Sequence, residues 1–184
     1  MVDLDSQENR QELLMLSPSF KVPKLQHDGI EVYSVLAIAA YLNETFPDAG
    51  LWPKAKAARA HCRSVSGEMK GGFFTLRSAL PMNIKTRYDK YKVFTGARPD
   101  IERIKEIWTE CLEKYKGPFL FGKKPTVADA MFAPICTRFR TYNVELPEDL
   151  QAYCDTIFEW PLMQEWVHAA EQEPEAIEEL DIEF

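Results

Sequence analysis

The sequence predicts an α+β chain in which a small strand-and-helix segment precedes an all-helical domain. Three observations carry this. Two short apolar runs, residues 22–25 and 30–33, flank the turn His27-Asp28-Gly29. The stretch Pro47-Asp48-Ala49-Gly50-Leu51-Trp52-Pro53 is dense in breakers and reads as a linker. Beyond it, apolar residues recur at helical spacing. The expected division is residues 1–46, a linker 47–53 and a helical domain 54–184.

Each element follows from its local pattern. Residues 7–16 read as a helix with Leu13, Leu14 and Leu16 inward, stopped by Pro18. The hairpin of strands 22–25 and 30–33 comes next. Residues 35–46 are apolar over one wide face and read as a helix laid on that hairpin. Residues 55–80 have the length and period of one long helix, with a soft spot at Gly71-Gly72 and a stop at Pro81. Residues 99–115 carry Ile101, Ile104, Ile107, Trp108 and Leu112 on one stripe. Residues 126–142, 148–158 and 161–171 are three further helices. No internal repeat is present.

Composition excludes several function classes. Apolar residues make up 46% of the chain and aromatics 12%, which supports a packed core and argues against disorder. The longest strongly apolar run, 35–42, is far short of the about 20 residues that a spanning helix needs. The first ten residues lack the basic start and apolar run of a secretory signal. Cys62, Cys111, Cys136 and Cys154 form no Cys-x-x-Cys pair, and none has a histidine at zinc-ligand spacing. They read as reduced thiols of a cytoplasmic protein, and no metal site is assigned. The net charge of −7 resides in the C-terminal end, where Glu171, Glu173, Glu175, Glu178, Glu179, Asp181 and Glu183 meet no basic residue. The rest of the chain carries as many acidic as basic residues, so no basic face points to nucleic acid. The acidic end reads as a solvated terminus.

Two motifs carry meaning. In Ser17-Pro18-Ser19-Phe20-Lys21-Val22-Pro23-Lys24-Leu25, a Val-Pro opens a strand. Proline donates no ladder hydrogen bond and suits only an edge. The residues alone favour an ordinary trans bond. The alternative is a cis bond that turns the Val22 backbone toward a ligand, which could then add as a strand. In Thr126-Val127-Ala128-Asp129, the Thr126 hydroxyl can accept from the Asp129 N–H while the Asp129 carboxylate accepts from the Thr126 N–H. That capping box is structural and stabilises the helix start by about 1 kcal/mol.

The order of parts from Lys21-Val22-Pro23-Lys24-Leu25 through Ile30-Glu31-Val32-Tyr33 and Ala37-Ile38-Ala39-Ala40-Tyr41-Leu42 to Leu51-Trp52-Pro53 resembles the second half of the thioredoxin-like domain of glutathione S-transferases. The Thr126–Asp129 box, preceded by Gly117-Pro118-Phe119-Leu120-Phe121-Gly122 and followed by Ala130-Met131-Phe132-Ala133-Pro134, is similar to the buried central helix of the family's all-α C-terminal domain. The stretch Thr137-Arg138-Phe139-Arg140-Thr141-Tyr142 places the resemblance in a soluble bacterial branch. It implies a partial thioredoxin-like domain joined to that C-terminal domain.

The resemblance implies glutathione as co-substrate, with conjugation or glutathione-dependent isomerisation as lineage activity and a small-molecule electrophile as second substrate. A complete member carries a strand, a helix and a second strand before residues 7–16, and its catalytic Tyr, Ser or Cys lies there. The chain begins beyond that point, and Ser6 lies on the wrong element. The expectation is therefore an N-terminally truncated member with no catalytic residue and no conjugating activity. A non-catalytic binding or scaffold role is the rival reading. The family's glutathione contacts fall on Lys21, Val22, Pro23, Ser34 and Val35, with the cis bond at Val22-Pro23. The usual acid-Ser pair before the third helix is here Ser34-Val35, and Phe20 stands where Gly is usual. Ser34 keeps the ability to cap the helix, but the glutathione site is weakened. Glu68, Met69, Phe73, Arg77, Met131, Arg138 and Tyr142 are the candidates for the second-substrate cleft. A homodimer is expected, by the family mode or through the open edge of residues 21–25.

Overall fold

The computed structural model describes residues 22–174. It falls into two compact units, Met1–Leu51 and Trp52–Phe184. The predicted helix 7–16, Lys21, and the acidic residues after Glu173 lie outside the described residues.

The first unit holds β1 (Lys24–His27), β2 (Ile30–Tyr33) and α1 (Val35–Thr45), followed by a 3-10 turn at Pro47–Ala49. The strands pair antiparallel, from Lys24 opposite Tyr33 to His27 opposite Ile30. Asp28 and Gly29 both have positive φ, 50° and 76°, the backbone of a two-residue hairpin turn. That turn fixes the register, so β1 runs back from His27 and starts two residues later than residues 22–25 predicted. Pro23, which has no N–H, stays outside the ladder. His27 Nδ1 bonds the Tyr41 hydroxyl at 2.8 Å and ties β1 to α1.

Among its described residues the second unit is built from helices and the loops that join them. It contains α2 (Lys56–Gly71), α3 (Phe74–Ala79), a 3-10 turn at Thr95–Ala97, α4 (Arg98–Tyr115), α5 (Val127–Thr141), α6 (Glu148–Glu159) and α7 (Pro161–Gln172). Helix α5 is central. Val127, Ala128, Phe132, Ala133, Ile135, Cys136 and Phe139 are all buried on it. Trp108 of α4 is fully buried and meets the rings of Phe132, Phe139 and Tyr153 at 6.0, 5.6 and 4.9 Å. The predicted α4 stripe is buried at Ile101, Ile104, Ile107 and Trp108, with Cys111 replacing Leu112 as its last member. All four cysteines are free and buried. No helix among the described residues is long and apolar enough to cross a membrane.

The single helix expected over 55–80 is two helices. Gly72 is extended, and Phe73 adopts the left-handed conformation at φ 60°. The chain then restarts as α3, whose Leu76 N–H donates to Asp100 Oδ2 at 2.9 Å. Asp100 lies on α4, so the cap that starts α3 comes from 24 residues downstream. Periodicity within 55–80 cannot reveal an acceptor of that kind.

Candidate functional site

The open end of the hairpin carries Val22, Pro23, Ser34 and Val35, four of the five residues expected to hold glutathione. Lys24 pairs with Tyr33, so one further step along both chains puts Pro23 level with Ser34. The Val22-Pro23 peptide is cis, the isomer the family resemblance implies and opposite to the preference read from the residues alone. Val22 is 74% exposed. Ser34 is the N-cap residue of α1, and its carbonyl accepts from the Ile38 N–H at 2.9 Å. Its hydroxyl makes no cap hydrogen bond, which corrects the expectation that Ser34 caps the helix. Capping side chains hang from an extended backbone with negative φ. At φ 74° and ψ 122° the Ser34 side chain leaves in another direction. The first turn of α1 also lacks any acidic residue. Its first amide groups therefore end in no side-chain acceptor, an arrangement that suits an incoming carboxylate.

The capping box of α5 is part of a larger node. Both halves of the box are present. Asp129 Oδ2 accepts from the Thr126 N–H at 2.7 Å and the Thr126 hydroxyl at 3.0 Å. Its Oδ1 accepts from the Leu120 N–H at 2.9 Å and the Tyr153 hydroxyl at 3.3 Å. Asp129 is fully buried, and burial raises its carboxyl above the ordinary 3.8 against the pull of these donors. Leu120 is held in position by a tight loop in which Phe119 and Gly122 exchange two hydrogen bonds of 3.1 Å. One carboxylate thus joins that loop, the start of α5 and the middle of α6. The sequence pattern showed the local box. It could not show Leu120 and Tyr153, which reach Asp129 through the fold.

The seven cleft candidates separate. Glu68 is engaged with Arg103 of α4, accepting from Nε at 2.7 Å and Nη2 at 3.1 Å. Met69 and Phe73 are buried in the core. Met131 is half-buried. Tyr142 is buried, donates to the Pro81 carbonyl at 2.9 Å and stacks on Tyr88 at 5.4 Å. Arg77 and Arg138 are the two cationic candidates. Arg138, half-buried near the end of α5, donates through Nη1 to the Pro134 carbonyl at 3.3 Å, and its buried Nε has no partner. Burial first, and the Arg77 charge second, push the Arg138 guanidinium down to about 10, while Tyr142 acts the other way. Arg77 itself is exposed, with its guanidinium 5.9 Å from the centre of the Phe74 ring.

A wide concavity of about 470 Å³ is lined by Phe74, Thr75, Ser78 and Ala79 of α3 and by Phe94. Phe74 and Phe94 are 64% and 62% exposed. Neither residue stood out in the sequence, because Phe74 fell inside the predicted long helix and Phe94 in an unassigned loop.

Comparison with known proteins matches residues 83–169 to the C-terminal domain of glutathione S-transferases. A probable maleylacetoacetate isomerase from Caenorhabditis elegans is 30% identical over 148 residues, covering 79% of this chain and 68% of that protein. A maleylacetoacetate isomerase from Rattus norvegicus is 26% identical over 140 residues, covering 76% and 63%. The chain therefore spans about two thirds of the length of these relatives. Among solved structures, a glutathione transferase homologue from Burkholderia with bound glutathione superposes with a TM-score of 0.66 at 24% identity, covering 94% of this chain and 82% of that one. The hairpin and α1 correspond to part of the family's thioredoxin-like domain, and α2 to α7 to its all-α domain. The chain belongs to the glutathione S-transferase superfamily.

Proposed function

We propose that the chain carries a glutathione site of its lineage, serving glutathione conjugation or glutathione-dependent isomerisation. The relatives named maleylacetoacetate isomerase support the second of these. The observation that carries the reading is the hairpin register, which brings Val22-Pro23 and Ser34-Val35 to one end beside the first turn of α1. There the exposed Val22 backbone can pair with an extended peptide as an added strand. The open amides of α1 can take the γ-glutamyl carboxylate. Lys21 belongs to the same proposed set.

The site is weaker than the family's. Ser34-Val35 replaces the acid and hydroxyl that hold the γ-glutamyl group, and the Ser34 hydroxyl is not directed at the helix end. Each remaining backbone hydrogen bond nets about 0.5–1.5 kcal/mol, against the roughly 4 kcal/mol of millimolar affinity. This substitution favours a second reading, a transferase-like binding or scaffold protein without turnover.

Calorimetric titration with glutathione tests the site. The expected dissociation constant is above about a millimolar. The paired change Ser34→Glu with Val35→Ser should tighten it by about tenfold, the equivalent of one charge-assisted contact. No tightening would show that glutathione binds elsewhere or not at all. Turnover of a standard electrophile by the unmodified chain would remove the second reading.

A further inference from the structure

We infer that Cys136 and Cys154 form a dithiol site that takes a neutral trivalent organoarsenical, a soft electrophile with two exchangeable oxygens and one short carbon group. The site lies within the helical unit and is independent of the glutathione reading.

Cys136 lies on α5 and Cys154 on α6, and both are buried. The two residues line one cavity of about 150 Å³. Their thiols are also hydrogen-bond partners. The rings of Phe139 and Phe158, about one turn further along each helix, belong to the same wall. Asn143 and Gln151 line the cavity too and are exposed, so it runs from the surface in to the two sulfurs. An apolar space of about 150 Å³ accommodates a benzene ring.

Packing gives only part of a reason for this. Cysteine is commonly buried as a small apolar group. Cys62 fits that role, with its thiol 3.6 Å from the Thr126 hydroxyl at the start of α5. A close-packed interior does not ordinarily leave a space of this size beside two thiols.

The chemistry of the pair selects its partner. A zinc ion needs four ligands, and no group of three or more metal-binding side chains stands together among the described residues. A univalent soft ion takes both sulfurs as thiolates and leaves a net negative charge in a buried site. Burial already holds Cys136 well above its usual value, against that form. A two-coordinate divalent ion spends both bonds on sulfur and leaves no group for the cavity. Trivalent arsenic meets both conditions. Each thiol proton leaves with an arsenic-bound hydroxide as water, and two arsenic–sulfur bonds replace two arsenic–oxygen bonds. Arsenic stays trivalent, nothing is oxidised or reduced, and the product is neutral. The third bond carries the carbon group, and a phenyl ring there can enter the cavity beside Phe139 and Phe158.

The test uses the full chain, phenylarsine oxide as the probe and intact mass after equilibration as the readout. The native chain should take one phenylarsenic bridge, which a dithiol removes and a monothiol does not. That monothiol-resistant adduct should persist in Cys62→Ser and disappear in Cys136→Ser and in Cys154→Ser. Inorganic arsenite, which has no carbon group, should bind at least about tenfold more weakly. If neither serine variant folds, anomalous scattering at the arsenic edge from crystals of the native chain locates the atom, expected between the Cys136 and Cys154 sulfurs. Arsenic on Cys62 or Cys111, an adduct that a monothiol strips, or no adduct in excess probe would overturn the inference. Equal affinity for arsenite would overturn the assignment of the carbon group to the cavity. Because no arm contains glutathione, failure here and failure of the glutathione titration are separate results.

Discussion

Asp129 shows how much a single side chain can carry. Its carboxylate accepts from two backbone amides and two hydroxyls while fully buried. Replacing it by Ala would strand the Leu120 and Thr126 amides and the Tyr153 hydroxyl without water. Each stranded donor costs about 1–3 kcal/mol, and the expected loss of unfolding free energy is about 3–5 kcal/mol in urea. Asp129→Asn should cost less at neutral pH, and the difference from the native chain depends on pH. The folded carboxyl titrates above the ordinary 3.8. The native state therefore holds its proton more tightly than the unfolded state does. Stability associated with the protonated form is present below 3.8 and is lost as pH rises through the folded value. The advantage of the native chain over Asp129→Asn is expected to shrink across that interval, measured by urea unfolding at a series of pH values. A widening gap would contradict the direction given by burial.

The thiols yield a second expectation at this scale. Burial pushes Cys62 up to about 11 and Cys111 up to about 12, and holds Cys136 well above its usual value. At pH 8 fewer than about one in a hundred of these three groups is the reactive thiolate. An aromatic disulfide reagent should label none of them quickly in the folded protein and should release four equivalents after denaturation. Rapid native labelling of any of these three would show that its surroundings open.

Among the elements, the loop between α4 and α5 offers two substitutions with opposite sign. Lys116 closes α4 in the left-handed conformation, at φ 50° and ψ 53°. A side chain there costs about 1 kcal/mol relative to glycine, and Lys116 is exposed. Lys116→Gly should raise the unfolding free energy measured in urea by about that amount. At the next position, a Cβ on Gly117 would lie 2.1 Å from the Gly122 carbonyl oxygen. Gly117→Ala must open the loop, break the Phe119–Gly122 pair and draw the Leu120 amide off Asp129. The expected cost is about 2–4 kcal/mol. A neutral result would mean the loop is not what positions that amide.

The elements also show what the sequence could and could not disclose. The hairpin turn was legible because Asp28-Gly29 demands positive φ, and the α4 stripe because Ile101, Ile104 and Ile107 repeat at helical spacing. The central helix was legible through its own box. The break at Phe73 was only half legible. Gly71-Gly72 marked weakness, but the restart depends on Asp100, a residue of another helix. Ser34 misled for a related reason: its type suits a cap, and only the backbone angle shows that its hydroxyl is turned elsewhere. Of the candidate site, the positions at the hairpin end could be read from order alone. The cleft could not, since Met69 and Phe73 share a helical period with any core residue, and Glu68 is drawn off by Arg103.

At the scale of the molecule, the charge is carried unevenly, with the acidic excess in the last residues of the chain. The body has no net charge to keep copies apart. Self-association is therefore expected, in line with the usual dimer of the family. Static light scattering at high micromolar concentration should give about twice the mass of 21.2 kDa. A clean monomer across the concentration series would sink this expectation. The association should also persist in salt, because no opposed surface charges are needed to hold it.

The Asp129 node also has a consequence for local motion. Amide protons in surface loops ordinarily trade with solvent in seconds to minutes, since a loop opens without disturbing the rest. The Leu120 amide is a loop amide, yet its proton rests on a carboxylate of α5 that Tyr153 of α6 also holds. Its release leaves that buried carboxylate short of a donor, a cost that an ordinary loop opening does not carry. In heavy water it should keep its proton as long as the slowest amides in the middle of α5, while its neighbours in the same loop are already deuterated.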